Sequence, residues 1–179
     1  MSSTSVSYSQ SALWTKSAFQ VFLGSFLLAI FSNIQIPLPF TPVPVVVQNL
    51  LAIMLGIVLG PKKGSISVFL YLIQGAIGLP VFAGMSSGIA CLLGPTGGYL
   101  IGYILSAWIA GNICKVKTGL SIWKSLLIGV SCQYLLGGLF LSFFIGLEKA
   151  FILGVAPFVL IDIIKISLAA VSLKKIYKL

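Results

Sequence analysis

At 179 residues the chain has single-domain length, yet 59% of it is hydrophobic and 7% charged, where a soluble domain carries roughly a quarter. Eleven lysines stand against one Glu and one Asp, with no arginine and no histidine, for a formal net charge of +9. This excludes catalysis built on histidine and points to an all-α membrane protein. Cys91, Cys114 and Cys132 lack CxxC spacing and lie in apolar surroundings, so they read as small core residues and no metal or redox site is expected.

The opening MSSTSVSYSQS is polar, and residues 1–13 are read as a tail ahead of a membrane domain over residues 14–179. Apolar stretches of spanning length, punctuated by Gly, Pro and Lys, predict six transmembrane helices: 14–34, 43–60, 64–81, 97–113, 120–147 and 151–173. The first exceeds the short apolar region of a signal peptide and reads as a retained span. Ser17, Val21, Ser25 and Ala29 form a small-residue stripe on it. The stripe suits packing inside the bundle or docking of another membrane subunit, and docking is the reading preferred for Ser25 and Ala29. In the fourth span Gly98, Gly102, Ser106, Ala110 and Cys114 form a second such seam.

Placing the N-terminus in the cytoplasm puts Lys16, Lys62, Lys63, Lys115, Lys117, Lys124, Lys174, Lys175 and Lys178 inside and Lys149 alone outside. The asymmetry predicts that both termini are cytoplasmic. It also explains the net charge by topology in a lipid bilayer, with no nucleic acid as partner.

Two charge-free connectors then fall on the outer side. In the first, QIPLPFTPVPVVVQNL at residues 35–50, four prolines fix φ and remove N–H donors, which makes a stiff nonhelical ribbon. A tight turn would account for it, and a pre-organised lid over an outward pocket accounts for it better, because the second connector, residues 79–98, is also uncharged. There Gly84 and Ser86 could bring backbone amides and a hydroxyl close to a ligand. GPTGG is not a phosphate loop, and no nucleotide motif occurs.

The LIDIIK run in the last span sets Asp162 and Lys165 on one helix face, where isolated charges at bilayer depth would cost about 3 kcal/mol or more each. They must meet each other, a wet cavity or a ligand. Gln48, Asn49, Tyr71, Gln74, Gln133 and Tyr134 are candidates to line the same cavity, with Phe82 and Trp108 as apolar walls. Tyr71 and Gln74 share a face.

PLPFTPVPVVVQNL, GPKKG, YLIQGAIGLPVFAG, LLGPTGGYLIGY and APFVLIDIIK, in that order and spacing, resemble the BioY family of biotin transporters, the substrate-binding S components of energy-coupling factor transporters. The resemblance runs from about residue 35 onward. It implies a six-helix protein that binds biotin from outside with high affinity in the bacterial cytoplasmic membrane. No enzymatic activity and no cofactor are implied; the partners implied are a transmembrane coupling subunit and ATPase subunits. It also implies biotin contact at Asp162 and Lys165, with the first and third loops over the ligand. The chain departs from the family pattern at Leu160 and Ile161, where Pro-Gly is usual, and at GMSSG, where glycine is denser. Three other readings are an S component for another vitamin such as riboflavin or thiamin, a stand-alone facilitator, and an intramembrane enzyme using a serine with Lys165.

Overall fold

The computed structural model describes residues 10–178, which form an all-α bundle with a single two-stranded β pair among the described residues. Helix α1 (Gln10–Phe31) leads into strands β1 (Gln35–Ile36) and β2 (Val45–Val46), then α2 (Gln48–Leu59) and α3 (Pro61–Ala76). A 3₁₀ turn at Ala83–Met85 and the short α4 (Ile89–Leu93) follow, then α5 (Gly97–Ile113), α6 (Gly119–Ile145), α7 (Leu147–Gly154) and α8 (Ala156–Tyr177). Residues 1–9 of the predicted tail lie outside the described residues, and α1 begins at Gln10, ahead of the expected Trp14.

Three segments are long and apolar enough to cross a membrane: Leu13–Phe31, Gly119–Ile145 and Leu147–Tyr177. The second predicted span is corrected most. It begins at Gln48 rather than Val43, and its 12 residues rise only about 18 Å. The cause is the proline-rich connector, which folds back as an antiparallel pair, Gln35 opposite Val46 and Ile36 opposite Val45. Pairing satisfies backbone groups that proline cannot, as irregular backbone at membrane depth requires. The sixth span is broken at Val155, where φ −124° and ψ −59° separate α7 from α8, with Pro157 in the first turn of α8.

Glycine lets the short helices cross at backbone contact. A Cβ at Gly56 would strike the Ala107 carbonyl, and one at Gly111 would meet the Gly56 carbonyl and Pro61, so α2, the α2/α3 turn and α5 share one close crossing. The α5 seam faces α6: a Cβ at Gly98 would enter Phe140, and one at Gly102 would sit 3.3 Å from the Gln133 backbone. Helix α6 starts where a reciprocal cap forms, Thr118 Oγ1 accepting from Ser121 N at 3.2 Å and Ser121 Oγ from Thr118 N at 3.0 Å.

Lysines of the α2/α3 and α5/α6 turns lie at one end. Lys63 donates to Gln20 at 2.8 Å, linking α3 to α1. Lys117, in the α5/α6 turn, donates to the Ile57 carbonyl near the end of α2 and to the Tyr177 hydroxyl of α8, its ammonium 4.5 Å from the Tyr177 ring centre. The two long connectors lie at the other end.

Candidate functional site

A cavity of about 440 Å³ opens between the connectors, the N-terminal parts of α2, α5 and α8, and the middle of α6. Pro42, Val43, Pro44 and Val46 form one wall, and Phe82, Ala83, Ser86, Cys91, Pro95 and Thr96 form another. The two connectors touch, because a Cβ at Gly84 (φ +68°) would lie 2.8 Å from Gln35 Nε2. Tyr99, Tyr103 and Phe158 complete the apolar lining, and the Tyr99 hydroxyl donates to the Gly154 carbonyl at 2.8 Å.

The second connector is seated on α3 by Phe82, which is 2% exposed. Its ring packs edge-on against Tyr71 with centroids 5.5 Å apart, over Gly75, where any Cβ would lie inside the ring. Gly88 N donates to the Gly75 carbonyl at 2.7 Å, and Phe82 N to the Ser86 carbonyl at 3.0 Å, closing the loop on itself.

At the cavity floor Asp162, 3% exposed, forms an ion pair with Lys165. Asp162 Oδ2 accepts from the Tyr134 hydroxyl at 2.5 Å and from Asn49 Nδ2 at 3.2 Å. Lys165 Nζ also donates to Asn49 Oδ1 at 3.0 Å and to the Val46 carbonyl at 2.8 Å. Helices α2, α6 and α8 and strand β2 therefore meet on one network. Gln133 extends it: Nε2 donates to the Asn49 carbonyl at 2.9 Å and to Ser106 Oγ at 2.8 Å. Charges paired and fully hydrogen-bonded in this way are tolerable at membrane depth.

The family model of the BioY family matches residues 2–179. The chain belongs to the BioY family. Among BioY relatives, a probable biotin transporter BioY of Pyrococcus horikoshii is 44% identical, over 79% of this chain and 85% of that one. The biotin transporter BioY of Thermotoga maritima is 37% identical, over 87% and 94%. The crystal structure of an S-component for biotin from an ECF-type ABC transporter superposes with a TM-score of 0.84 at 31% identity, over 97% and 96% of the two chains.

Of the residues singled out in the sequence, this BioY chain brings Asp162, Lys165, Gln48, Phe82 and Ser86 to the cavity, with Asn49, Gln133 and Tyr134. The other candidates lie away from the cavity lining. Tyr71 is fully buried behind Phe82 and supports the wall without lining it. Gln74 turns the other way and accepts from Ser25 Oγ at 2.9 Å, a helix-to-helix bond. Gly84 is exposed at the tip of its turn, and Trp108 lies half exposed in an outer apolar groove beside Leu136, where a large ring faces away from the polar network. Ser25 and Ala29 do not form an outward docking stripe: Ser25 is fully buried against Gln74 and Ala29 packs on the core, because the small residues let α1 approach α3. The outward face of α1 carries Phe19, Phe22, Phe26 and Ile30 instead. Sequence reasoning missed Gln35, Ser106 and the Val46 carbonyl. The spacing of Tyr99 and Tyr103, one turn apart on α5, was the available sign of a second aromatic wall.

Proposed function

We propose that the protein binds biotin in this cavity and carries it across the membrane as the substrate-specific S component of an ECF-type transporter. One observation carries the reading: a largely apolar chamber closed by two stiff connectors over a floor holding one fixed acid and one fixed base. Biotin is an apolar bicycle with a urea on one edge and a carboxylate on its valerate, so it asks for that mixture. Phe82, Phe158 and the proline-rich wall suit the bicycle; Asp162, Lys165, Gln48 and Ser86 supply the polar contacts. Lys165 offsets the acid charge of the ligand alongside that of Asp162. The protein is a transporter and carries out no chemistry on its cargo.

Six membrane crossings with both termini in the cytoplasm are the topology that goes with this role. The lysine end then faces inward and the cavity opens outward in a bacterial cytoplasmic membrane. The short α2 completes its crossing through the β pair above it. Movement of biotin to the inside requires a transmembrane coupling subunit and ATPase subunits, because the chain carries no nucleotide motif.

Titrating the purified protein in detergent with biotin, riboflavin and thiamin tests the reading. Saturable one-to-one binding of biotin alone is the expected result, and uptake by cells expressing the chain should rise when coupling subunits are co-expressed. A preference for either other vitamin would overturn the assignment.

A further inference from the structure

Helix α5 turns Tyr99 and Tyr103 toward the cavity and Ile101, Leu105 and Trp108 the opposite way. With Ile104, Ser65 of α3 and Leu136 of α6, these outward residues line a second groove of about 300 Å³. The Ser65 hydroxyl donates to the Pro61 carbonyl at 2.8 Å, so the wall makes no polar demand on an occupant. Trp108 is half exposed in it.

Polar groups come at one end of this groove. Trp108 lies about 8 Å along the axis from the end of α5 at Ile113, and its indole N–H has no partner among the described residues. The start of α3 abuts that end, since a Cβ at Gly111 would lie 2.6 Å from Pro61 N. Lys62, the next residue, is exposed and stands one turn before Ser65 on the same face of α3. Unlike Lys63, which donates to Gln20, it makes no hydrogen bond or ion pair among the described residues. An apolar wall, an amphipathic ring with a free donor and a free ammonium thus follow one another. Acyl chain, ester carbonyls and phosphate follow one another in the same order along a phospholipid. A partner helix fits the groove less well. At about 10 Å across, two turns of one fill roughly 800 Å³, and close helix contact uses small residues where this wall carries Ile, Leu and Trp.

We propose that this groove binds one anionic phospholipid. An acyl chain lies along Ile101, Leu105 and Leu136, the Trp108 N–H donates to an ester carbonyl, and Lys62 meets the headgroup. A headgroup of net negative charge is preferred, because a zwitterionic one sets its own ammonium against Lys62. The site requires that these helices lie in a bilayer and is independent of what the cavity on the other face of α5 carries.

Trp14 and Trp123 are the other tryptophans, so Trp14→Phe with Trp123→Phe leaves Trp108 as the sole reporter. The full chain in phosphatidylcholine vesicles is titrated with phosphatidylglycerol or phosphatidylcholine brominated on the acyl chain, which quenches a tryptophan it touches. Half-saturation should come at an at least about threefold lower fraction of the brominated phosphatidylglycerol. Lys62→Gln should bring the two lipids within about 1.5-fold of each other. Lys149→Gln, which removes an exposed charge on α7, should leave the preference intact. Equal half-saturation by the two lipids, or a preference that survives Lys62→Gln, would overturn the site. A Trp108 that neither lipid quenches would mean that protein covers the groove, and would overturn it as well. Should the two phenylalanine replacements disturb folding, native mass spectrometry of the otherwise unaltered chain, from micelles holding both lipids equally, decides on the same terms. Excess retention of phosphatidylglycerol, lost in Lys62→Gln, is the expected result, and equal retention would overturn the site.

Discussion

At the cavity end, contacts run between side chains and irregular backbone: Lys165 to the Val46 carbonyl, Gln133 to the Asn49 carbonyl, Phe82 laid over Gly75. At the lysine end, helices touch through backbone at Gly56 and Gly111, and Lys117 closes the crossing from outside. The difference teaches where shape can be tuned. Backbone-to-backbone crossings leave no room for a solute and fix the helices. Side-chain networks enclose a chamber whose walls depend on single residues, so substitutions there should reach ligand binding and stability together, while those at the other end should reach stability alone.

The largest separation should come from Asp162→Leu. It leaves the partly buried Lys165 without a counter-charge, and the Tyr134 hydroxyl and the Asn49 amide lose their acceptor. Removing one partner of such a pair costs about 3–5 kcal/mol, so thermal unfolding in detergent should drop sharply and biotin binding should vanish. Adding Lys165→Met removes the orphaned charge, and the double variant should regain most of the lost stability without regaining binding. A double variant as unstable as the single one would show that the pair is not coupled as described.

Gly75→Leu comes next. The new side chain occupies the seat of the Phe82 ring, and the connector from Leu79 to Gly88 must lift from α3. Overpacking of this kind costs about 1–3 kcal/mol. Stopped-flow measurement should show faster biotin release, with association little changed if the connector acts as a cover. Equal slowing of association would mean that it shapes the floor instead. Ala29→Leu should cost less, about 1 kcal/mol, because Ala29 is only partly buried between α1 and α3. Its effect should be a lower unfolding temperature in the isolated protein. Loss of uptake with unfolding unchanged would restore the outward docking role that the buried Ser25 argues against.

Most of the helix plan was legible because lipid demands about 20 apolar residues per crossing and the chain marks its turns with Gly, Pro and Lys. The exception, α2, shows the limit of that signal. Val43 to Val47 is as apolar as any helix, and nothing local to VPVVV says that Val45 will pair with Ile36. That partner is fixed by the prolines between them. In the site, Asp162 and Lys165 stood out because charge in an apolar span is rare, and spacing put them on one face. Which way Gln74 and Trp108 point was not legible, since both lie in spans whose apolar residues surround the helix and give no inward direction. On α1, Ser25 meets Gln74 of α3 inside the bundle, a neighbour the stripe could not specify, because small residues announce contact without naming what they contact.

The smallest predicted effect falls at the lysine end. Lys117→Met keeps the length and packing of the side chain and removes its two hydrogen bonds and the contact with the Tyr177 ring. One of those bonds serves the Ile57 carbonyl in the last turn of α2, where no continuing helix supplies a donor. The loss should be about 1 kcal/mol, read as a fall of a few degrees in unfolding temperature. Because the clamp lies at the opposite end from the cavity, biotin affinity should stay within about twofold of wild type. Lys117→Arg, which retains the charge and donors over the tyrosine ring, should recover much of the loss. A Lys117→Met protein of normal stability with weakened biotin binding would dissolve the distinction between the two ends, since a contact across the bundle would then be shaping the chamber directly.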